Sequence, residues 1–189
     1  IIQNTEMEGQ VNIFVWMCIL VGFITSFPYI LYEVWKFISP ALYEKERKNA
    51  KLFIFSSSLL FFLGVIFGYY VVIPMSVNFV ATFSVSKVVI NQFTIESYMG
   101  MVKTSVLASG LFFELPIIIY FLTKLGLVTP EFLRKYWKYA VVIILIVAAI
   151  VTPPDVVSQT IVAIPMLIIY EVSILISKIV YRNKLKENV

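Results

Sequence analysis

Long apolar runs alternate with short charged segments along the whole chain. A membrane-spanning helix needs about 20 mostly apolar residues, and runs of this kind occur at residues 11–38, 52–73, 94–126 and 160–179. A fifth run, residues 137–151, has an uninterrupted apolar part that reaches only about 18 Å as a helix. The pattern predicts an all-α integral membrane protein, with residues 1–189 forming a single transmembrane domain, a kinked helix bundle of five spans.

Prolines and one glycine mark where these helices should bend or end. Pro28 and Pro116 predict kinks in the first and third spans, because proline lacks an N–H group and clashes with the preceding turn. Pro74 predicts the end of the second span, and Pro165 predicts a break in the last one. Gly126 has the position of a C-cap glycine that closes the third span.

The composition supports the membrane class and excludes several kinds of chemistry. Hydrophobic residues make up 60% of the chain and charged residues only 14%, with a mean hydropathy of +0.93. Soluble domains have about 45–50% apolar and about 25% charged residues. There is no histidine, and the single Cys18 allows neither a disulfide framework nor a cysteine metal cluster within the chain. We therefore predict no metal, no cofactor and no enzymatic activity.

The basic residues predict the orientation in the membrane. All of them except Lys87 and Lys103 lie around two loops and the tail: Lys36, Lys45, Arg47, Lys48, Lys51, Lys124, Arg134, Lys135, Lys138, Lys178, Arg182, Lys184 and Lys186. The positive-inside rule makes these segments cytoplasmic, which places the C-terminus inside and the first residue outside. A polar, acidic start on the outer side without a signal peptide indicates that an earlier span is missing.

One carboxyl group lies in the middle of the third span. Glu114 is the only formal charge between Val106 and Leu122. A charge at membrane depth costs several kcal/mol unless it is neutralised, paired or hydrated, so such a residue is a candidate functional site. Glu96, Lys103, Gly110 and Glu114 fall near one face of the helix, which predicts a polar stripe facing a wet groove or another chain. The alternative is a structural residue bonded to a neighbouring helix.

The first charged loop, residues 39–51, mixes acidic and basic side chains. It is either a solvated turn or a docking surface for a charged partner, and charge mixing alone favours neither.

Seven short segments of the chain form a recognisable set of motifs: Phe27–Tyr32, Val34–Trp35, Phe37–Tyr43, Glu46–Arg47, Phe113–Pro116, Thr152–Asp155 and Ser158–Gln159. Together they resemble the TatC family, the multispanning receptor subunit of the twin-arginine translocase. The resemblance covers the whole chain, and family members have six spans with both termini cytoplasmic. It implies a core subunit in the cell inner membrane that binds twin-arginine signal peptides at the cytoplasmic face. With TatA- and TatB-type partners, it would export folded proteins using the proton-motive force.

The resemblance also implies site residues. Glu46 matches the acidic loop position that would bind the arginine pair, with Glu33, Phe37 and Arg47 nearby in the same motifs. A carboxylate accepts two hydrogen bonds from one planar guanidinium, which explains a preference for arginine over lysine. The expected partners also include the lipid bilayer and further copies of the chain, but no nucleic acid.

Glu114 matches the intramembrane glutamate of the family and would face the concave interior. Thr152 and Gln159 match outer-side polar positions where a partner helix docks. Asp155 belongs to the same segment, although it is equally well explained as a helix cap. The alternative function is a secondary transporter or channel that uses Glu114 as a proton or ion site.

Overall fold

The computed structural model describes residues 2–3, 8–39, 50–84, 93–152 and 156–187. The helices are α1 (Gly9–Ile38), α2 (Ala50–Phe67), α3 (Ile73–Thr82), α4 (Ile95–Phe113), α5 (Leu115–Leu125), α6 (Pro130–Lys135), α7 (Trp137–Val151) and α8 (Val156–Glu187). A two-residue parallel pair, β1 (Ile2–Gln3) with β2 (Phe93–Thr94), is the only strand pairing among these residues. The prediction of an all-α fold is confirmed.

Four helical segments are long and apolar enough to cross a membrane, judged by length and composition. They are Gly9–Ile38, Lys51–Thr82, Ile95–Leu125 and Ser158–Lys184. The fifth predicted span is the shorter apolar helix α7. The chain is thus a multi-pass membrane protein.

The second span does not end at Pro74, so that prediction is wrong. A π-helical turn, Gly68–Val72, follows α2 and leads directly into α3, in which Pro74 occupies the first turn. The Ile73 N–H group donates to the carbonyl of Gly68, five residues back. Because this wide turn shifts the hydrogen-bond register just before Pro74, the proline ring fits without stopping the helix.

The last span is not broken at Pro165, which is a second correction. Helix α8 runs without interruption from Val156 to Glu187 with Pro165 inside it. Val162 and Met166, on either side of the proline, are fully buried against α7 and the other central helices. Tertiary packing on both sides therefore outweighs the local cost of the proline.

The α-helix of the third span is interrupted where the sequence predicts a kink. Helix α4 ends at Phe113, α5 begins at Leu115, and Pro116 lies in the first turn of α5. Glu114 stands between the two helices, with its N–H group donating to the carbonyl of Leu111 at 3.2 Å. Gly126 closes α5 in the left-handed conformation with φ = 84°, as predicted for a C-cap glycine.

Small residues let α2 and α4 pack with their backbones in contact. A Cβ atom added at Gly64 would lie 2.6 Å from the carbonyl oxygen of Ser109 and 2.8 Å from the Cα atom of Gly110. One at Gly68 would lie 2.8 Å from the carbonyl oxygen of Ser105. This close crossing brings side chains near the start of the second span within reach of Glu114.

Candidate functional site

Glu114 is buried in the bundle and bonded to the neighbouring helix α2. Its side chain is 5% exposed, and the hydroxyl of Ser57, itself fully buried, donates a hydrogen bond to Oε2. The other carboxyl oxygen, Oε1, is buried and accepts no hydrogen bond from the described part of the chain. The structure thus shows the helix–helix bond that a structural role requires, and it leaves one carboxyl oxygen without a donor.

The glycine crossing explains why Ser57 reaches Glu114. Ser57 and Gly64 are seven residues apart on α2 and share one face of that helix. Gly110, four residues before Glu114, packs against the ring of Phe61. The backbones of the two helices meet at Gly64 and Gly110. Ser57 lies two turns before Gly64, and Glu114 lies one turn after Gly110, so the serine comes to lie beside the carboxyl group.

Among the described residues, the polar stripe on the third span faces α1 and α2. Toward its N-terminal end, the Nζ atom of Lys103 lies over the ring of Trp16 on α1, 4.6 Å from the centroid. Glu96 and Lys103 line a small pocket of about 40 Å³ together with Asn12 and Trp16. In the middle and at the far end, Gly110 and Glu114 contact α2.

A larger pocket opens beside the Ser57–Glu114 pair. It has a volume of about 260 Å³ and lies between α1, α2, α5 and α8, lined by Trp35, Leu52, Phe53, Ser56, Pro116, Ile117, Tyr120 and Ile176. The ring centroids of Trp35 and Phe53 are 4.7 Å apart, so the aromatic residues pack directly on one another. Sequence reasoning missed this pocket, because its residues come from four helices and share no periodic pattern.

The residues predicted to bind a signal peptide are described only in part. Glu33 and Phe37 lie on the last turns of α1, where Glu33 is exposed and the side chain of Phe37 is 86% exposed. Trp35, between them in sequence, points inward and is buried. Glu46 and Arg47 lie outside the described residues.

Thr152 and Gln159 both form hydrogen bonds within the chain at the junction of α7 and α8. Thr152 is buried, and its hydroxyl donates to the carbonyl of Ala148 at 2.8 Å. The side-chain amide of Gln159 donates to the carbonyl of Leu145 at 2.9 Å, which ties α8 to α7. Asp155 lies outside the described residues.

Hydrogen bonds between distant segments were another feature that the sequence analysis missed. The hydroxyls of Thr123 and Ser177 are 2.8 Å apart in the core and join α5 to α8. The indole N–H of Trp137 donates to Glu171 at 2.7 Å. Within the described ranges, no three histidine, cysteine or acidic residues lie close enough together to bind a metal ion.

A bundle of apolar helices around a buried carboxyl group at a helix break defines a polytopic α-helical membrane protein. Residues 1–165 match the family model described as "TatC: Sec-independent protein translocase protein". The chain belongs to the TatC family, as the sequence motifs indicate.

Individual relatives agree with the family match. The TatC protein of Blattabacterium sp. subsp. Periplaneta americana is 46% identical over 97% of this chain and 69% of its own length. The TatCy protein of Bacillus subtilis is 42% identical over 97% of this chain and 72% of its own. A crystal structure of the twin-arginine translocase receptor TatC in DDM superposes with a TM-score of 0.82 at 36% identity, covering 94% of this chain and 79% of that one.

Proposed function

We propose that this chain is the signal-peptide receptor subunit of a twin-arginine translocation system. Family membership gives it a role in Sec-independent protein translocation, which is a transport role. The receptor role is supported by the match to a solved structure described as a twin-arginine translocase receptor. This match covers almost the whole chain. The substrate recognised would be a signal peptide with paired arginines on a folded cargo protein.

The proposed binding site combines carboxylates with an exposed aromatic side chain. Glu33 and Phe37 are four residues apart on α1, so they lie on one face of its last turn. Glu46 and Arg47, in the loop that follows, complete the site that we propose. The carboxylates pair with the guanidinium groups, and Phe37 contacts the apolar part of the peptide.

The orientation and the partners are part of the same proposal. The concentration of basic residues in two loops and the tail supports a cytoplasmic location for these segments. The membrane would be the cell inner membrane, and the partners TatA- and TatB-type subunits and further copies of this chain. Transport of the folded cargo would use the proton-motive force.

We place the docking of a partner helix at the corner between α7 and α8. Thr152 and Gln159 would act there by shaping the corner, because both are hydrogen-bonded to backbone carbonyls of α7. Asp155, which follows Thr152 closely in sequence, belongs to the same proposed surface.

A secondary transporter or channel remains the alternative function. It requires Glu114 to meet a water or ion path, and it predicts flux of small solutes without partner subunits. The burial of Glu114 under α2 does not favour such a path. We assign Glu114 to the intramembrane polar site of the translocation receptor, with its unbonded Oε1 atom as the group open to a new partner.

The test is cross-linking of a twin-arginine signal peptide to the protein in membranes that contain the other Tat subunits. The double variant Glu33→Gln/Glu46→Gln should reduce cross-linking at least about tenfold, since charge-assisted pairs are lost. The control is Glu8→Gln, an exposed acid at the opposite end of α1 from Glu33, which should bind normally. A twin-lysine signal should bind as weakly as the double variant does. Binding indifferent to both changes would refute the receptor proposal and direct attention to solute flux.

A further inference from the structure

A groove with three basic side chains lies between α6 and α8. It has a volume of about 590 Å³ and is lined by Pro130, Glu131, Arg134, Ile174, Lys178, Tyr181 and Arg182. We call this set of residues the basic groove. Arg134, Lys178 and Arg182 are exposed, and none of them forms an ion pair with another residue of the described segments. Three cations thus share one groove with a single carboxylate, Glu131.

Hydrogen bonds beneath the groove hold its two walls together. The buried hydroxyl of Tyr170 on α8 donates to the carbonyl of Leu133 on α6 at 3.1 Å. The Trp137–Glu171 hydrogen bond, at the start of α7, fixes the next turn of chain to α8. The fold therefore holds both walls of the groove in place before any ligand binds, and this reduces the entropic cost of binding.

Exposed aromatic residues indicate the depth of the groove in the membrane. Tyr136, Trp137 and Tyr139 follow α6 directly and all have exposed side chains. Tyrosine and tryptophan are enriched at the boundary between hydrocarbon and headgroups. Along α8, the buried Ile174 is followed one and two turns later by the exposed Lys178 and Arg182. The groove therefore runs from the edge of the hydrocarbon core into the headgroup layer.

We propose that the basic groove is a binding site for the headgroup of an anionic phospholipid. The guanidinium groups of Arg134 and Arg182 match the oxygens of a phosphodiester, and Lys178 adds a third cation. Leu175 and Ile179, which are exposed on α8 next to Ile174 and Lys178, provide apolar surface for the acyl chains. Basic pockets between transmembrane helices are a known form of lipid recognition. The inference does not depend on the proposed transport function.

The choice of a lipid follows from the apolar surface beside the cations. A free phosphate would use the cations alone. An anionic phospholipid would also place its acyl chains against Leu175 and Ile179, which are exposed beside Lys178. Arg134, Lys178 and Arg182 form no ion pair with the described residues, so an external anion can pair with all three.

The test compares lipid retention by the full chain and two charge-matched variants, purified in mild detergent with added phosphatidylglycerol and measured by native mass spectrometry. The groove variant is Arg134→Gln/Lys178→Gln/Arg182→Gln. The control variant is Lys36→Gln/Lys51→Gln/Lys138→Gln, which removes three exposed cations elsewhere. We expect the groove variant to retain phosphatidylglycerol at least about tenfold less well, and the control to stay within about twofold of the unmodified protein.

Three outcomes would overturn the proposal. Equal losses in both variants would mean general attraction between basic residues and the anionic surface. Equal retention of phosphatidylcholine would mean that charge is not recognised, and displacement of the lipid by millimolar inorganic phosphate would mean a free-anion site. If the triple variant does not fold, the three single variants replace it. A partial loss of phosphatidylglycerol retention in the single variants would support the site, and unchanged retention in all three would overturn it.

Discussion

Glu114 and the basic groove show two opposite ways in which this membrane protein accommodates charged side chains. Glu114 is enclosed, and its Oε2 atom is bonded by Ser57 at a point where glycines bring two helices into contact. Arg134, Lys178 and Arg182 are exposed, surround a groove and have no ion-pair partner among the described residues. The protein itself supplies a hydrogen-bond donor to Glu114, whereas the three basic side chains depend on their surroundings for partners.

The depth of each site explains the difference. At the centre of a bilayer there is no water, so an ionisable group needs donors supplied by neighbouring helices. At the interface, water and lipid phosphates supply the partners, and long basic side chains extend toward them. We therefore expect substitutions around Glu114 to change the stability of the fold, and substitutions in the basic groove to change binding.

The largest loss of stability is expected from Gly64→Leu. A side chain at Gly64 would collide with the backbone of Ser109 and Gly110, which cannot move without separating α2 from α4. We expect a loss of about 3 kcal/mol in the free energy of unfolding. Thermal unfolding in detergent, followed by circular dichroism, measures the change.

The matched control for this substitution is Gly22→Leu. No heavy atom lies within 4 Å of a Cβ atom at Gly22, so this leucine should be tolerated. Equal destabilisation by the two leucines would contradict the role of close helix contact at Gly64.

Replacing the carboxyl group itself is expected to have the next largest effect. Glu114→Ala leaves the buried Ser57 hydroxyl without its acceptor and creates a cavity, which should cost about 1–3 kcal/mol. Glu114→Gln keeps an acceptor oxygen at nearly the same place and should cost less than about 1 kcal/mol. Chemical denaturation of the two variants side by side distinguishes them, and equal stability would mean that the Ser57 hydrogen bond contributes little.

A smaller effect is expected from Ser57→Ala, which removes the donor and keeps the carboxyl group. The expected cost is about 1–2 kcal/mol, because the buried carboxyl group loses its donor but the cavity of Glu114→Ala is not created. The control is Ser58→Ala, because the Ser58 hydroxyl bonds only to its own helix, at the carbonyl of Ile54. We expect Ser58→Ala to change the midpoint of denaturation less than Ser57→Ala, and the reverse order would argue against the pairing.

The smallest effect on stability is expected from Arg182→Gln in the basic groove. An exposed cation without an ion-pair partner contributes within about 0.5 kcal/mol to the fold. The same thermal assay, in lipid-free detergent, measures this change. Destabilisation as large as that of Ser57→Ala would show that Arg182 supports the helix packing, and it would remove the contrast between the two regions.

The comparison also shows how much of each site the sequence predicts. Glu114 is recognisable from the sequence because it is the only charge in a long apolar run. Its partner is not, since Ser56, Ser57 and Ser58 are adjacent and only the rotation of α2 against α4 selects Ser57. The sequence identifies Arg134 and Lys178 as basic residues that follow the positive-inside rule. That they line a common groove depends on how α6 packs against α8.

The two incorrect helix boundaries have a common cause. Pro74 and Pro165 were expected to end or break helices because of the local effect of the proline ring. A π-helical turn before Pro74, and burial on both sides of Pro165, keep the helices continuous. The π-helical turn is not predicted by the proline itself, and the burial around Pro165 depends on contacts with other helices.

The sequence by itself determined the membrane class, the all-α fold, the helix interruption near Pro116, the Gly126 cap and the resemblance to the TatC family. These features depend on hydropathy, on local backbone preferences and on motifs that are contiguous in the chain. The tertiary structure alone decided the Ser57–Glu114 bond, the pocket beside it and the basic groove. Each of these depends on how helices far apart in sequence rotate and approach, and that is set by the packing of small and large side chains across the bundle.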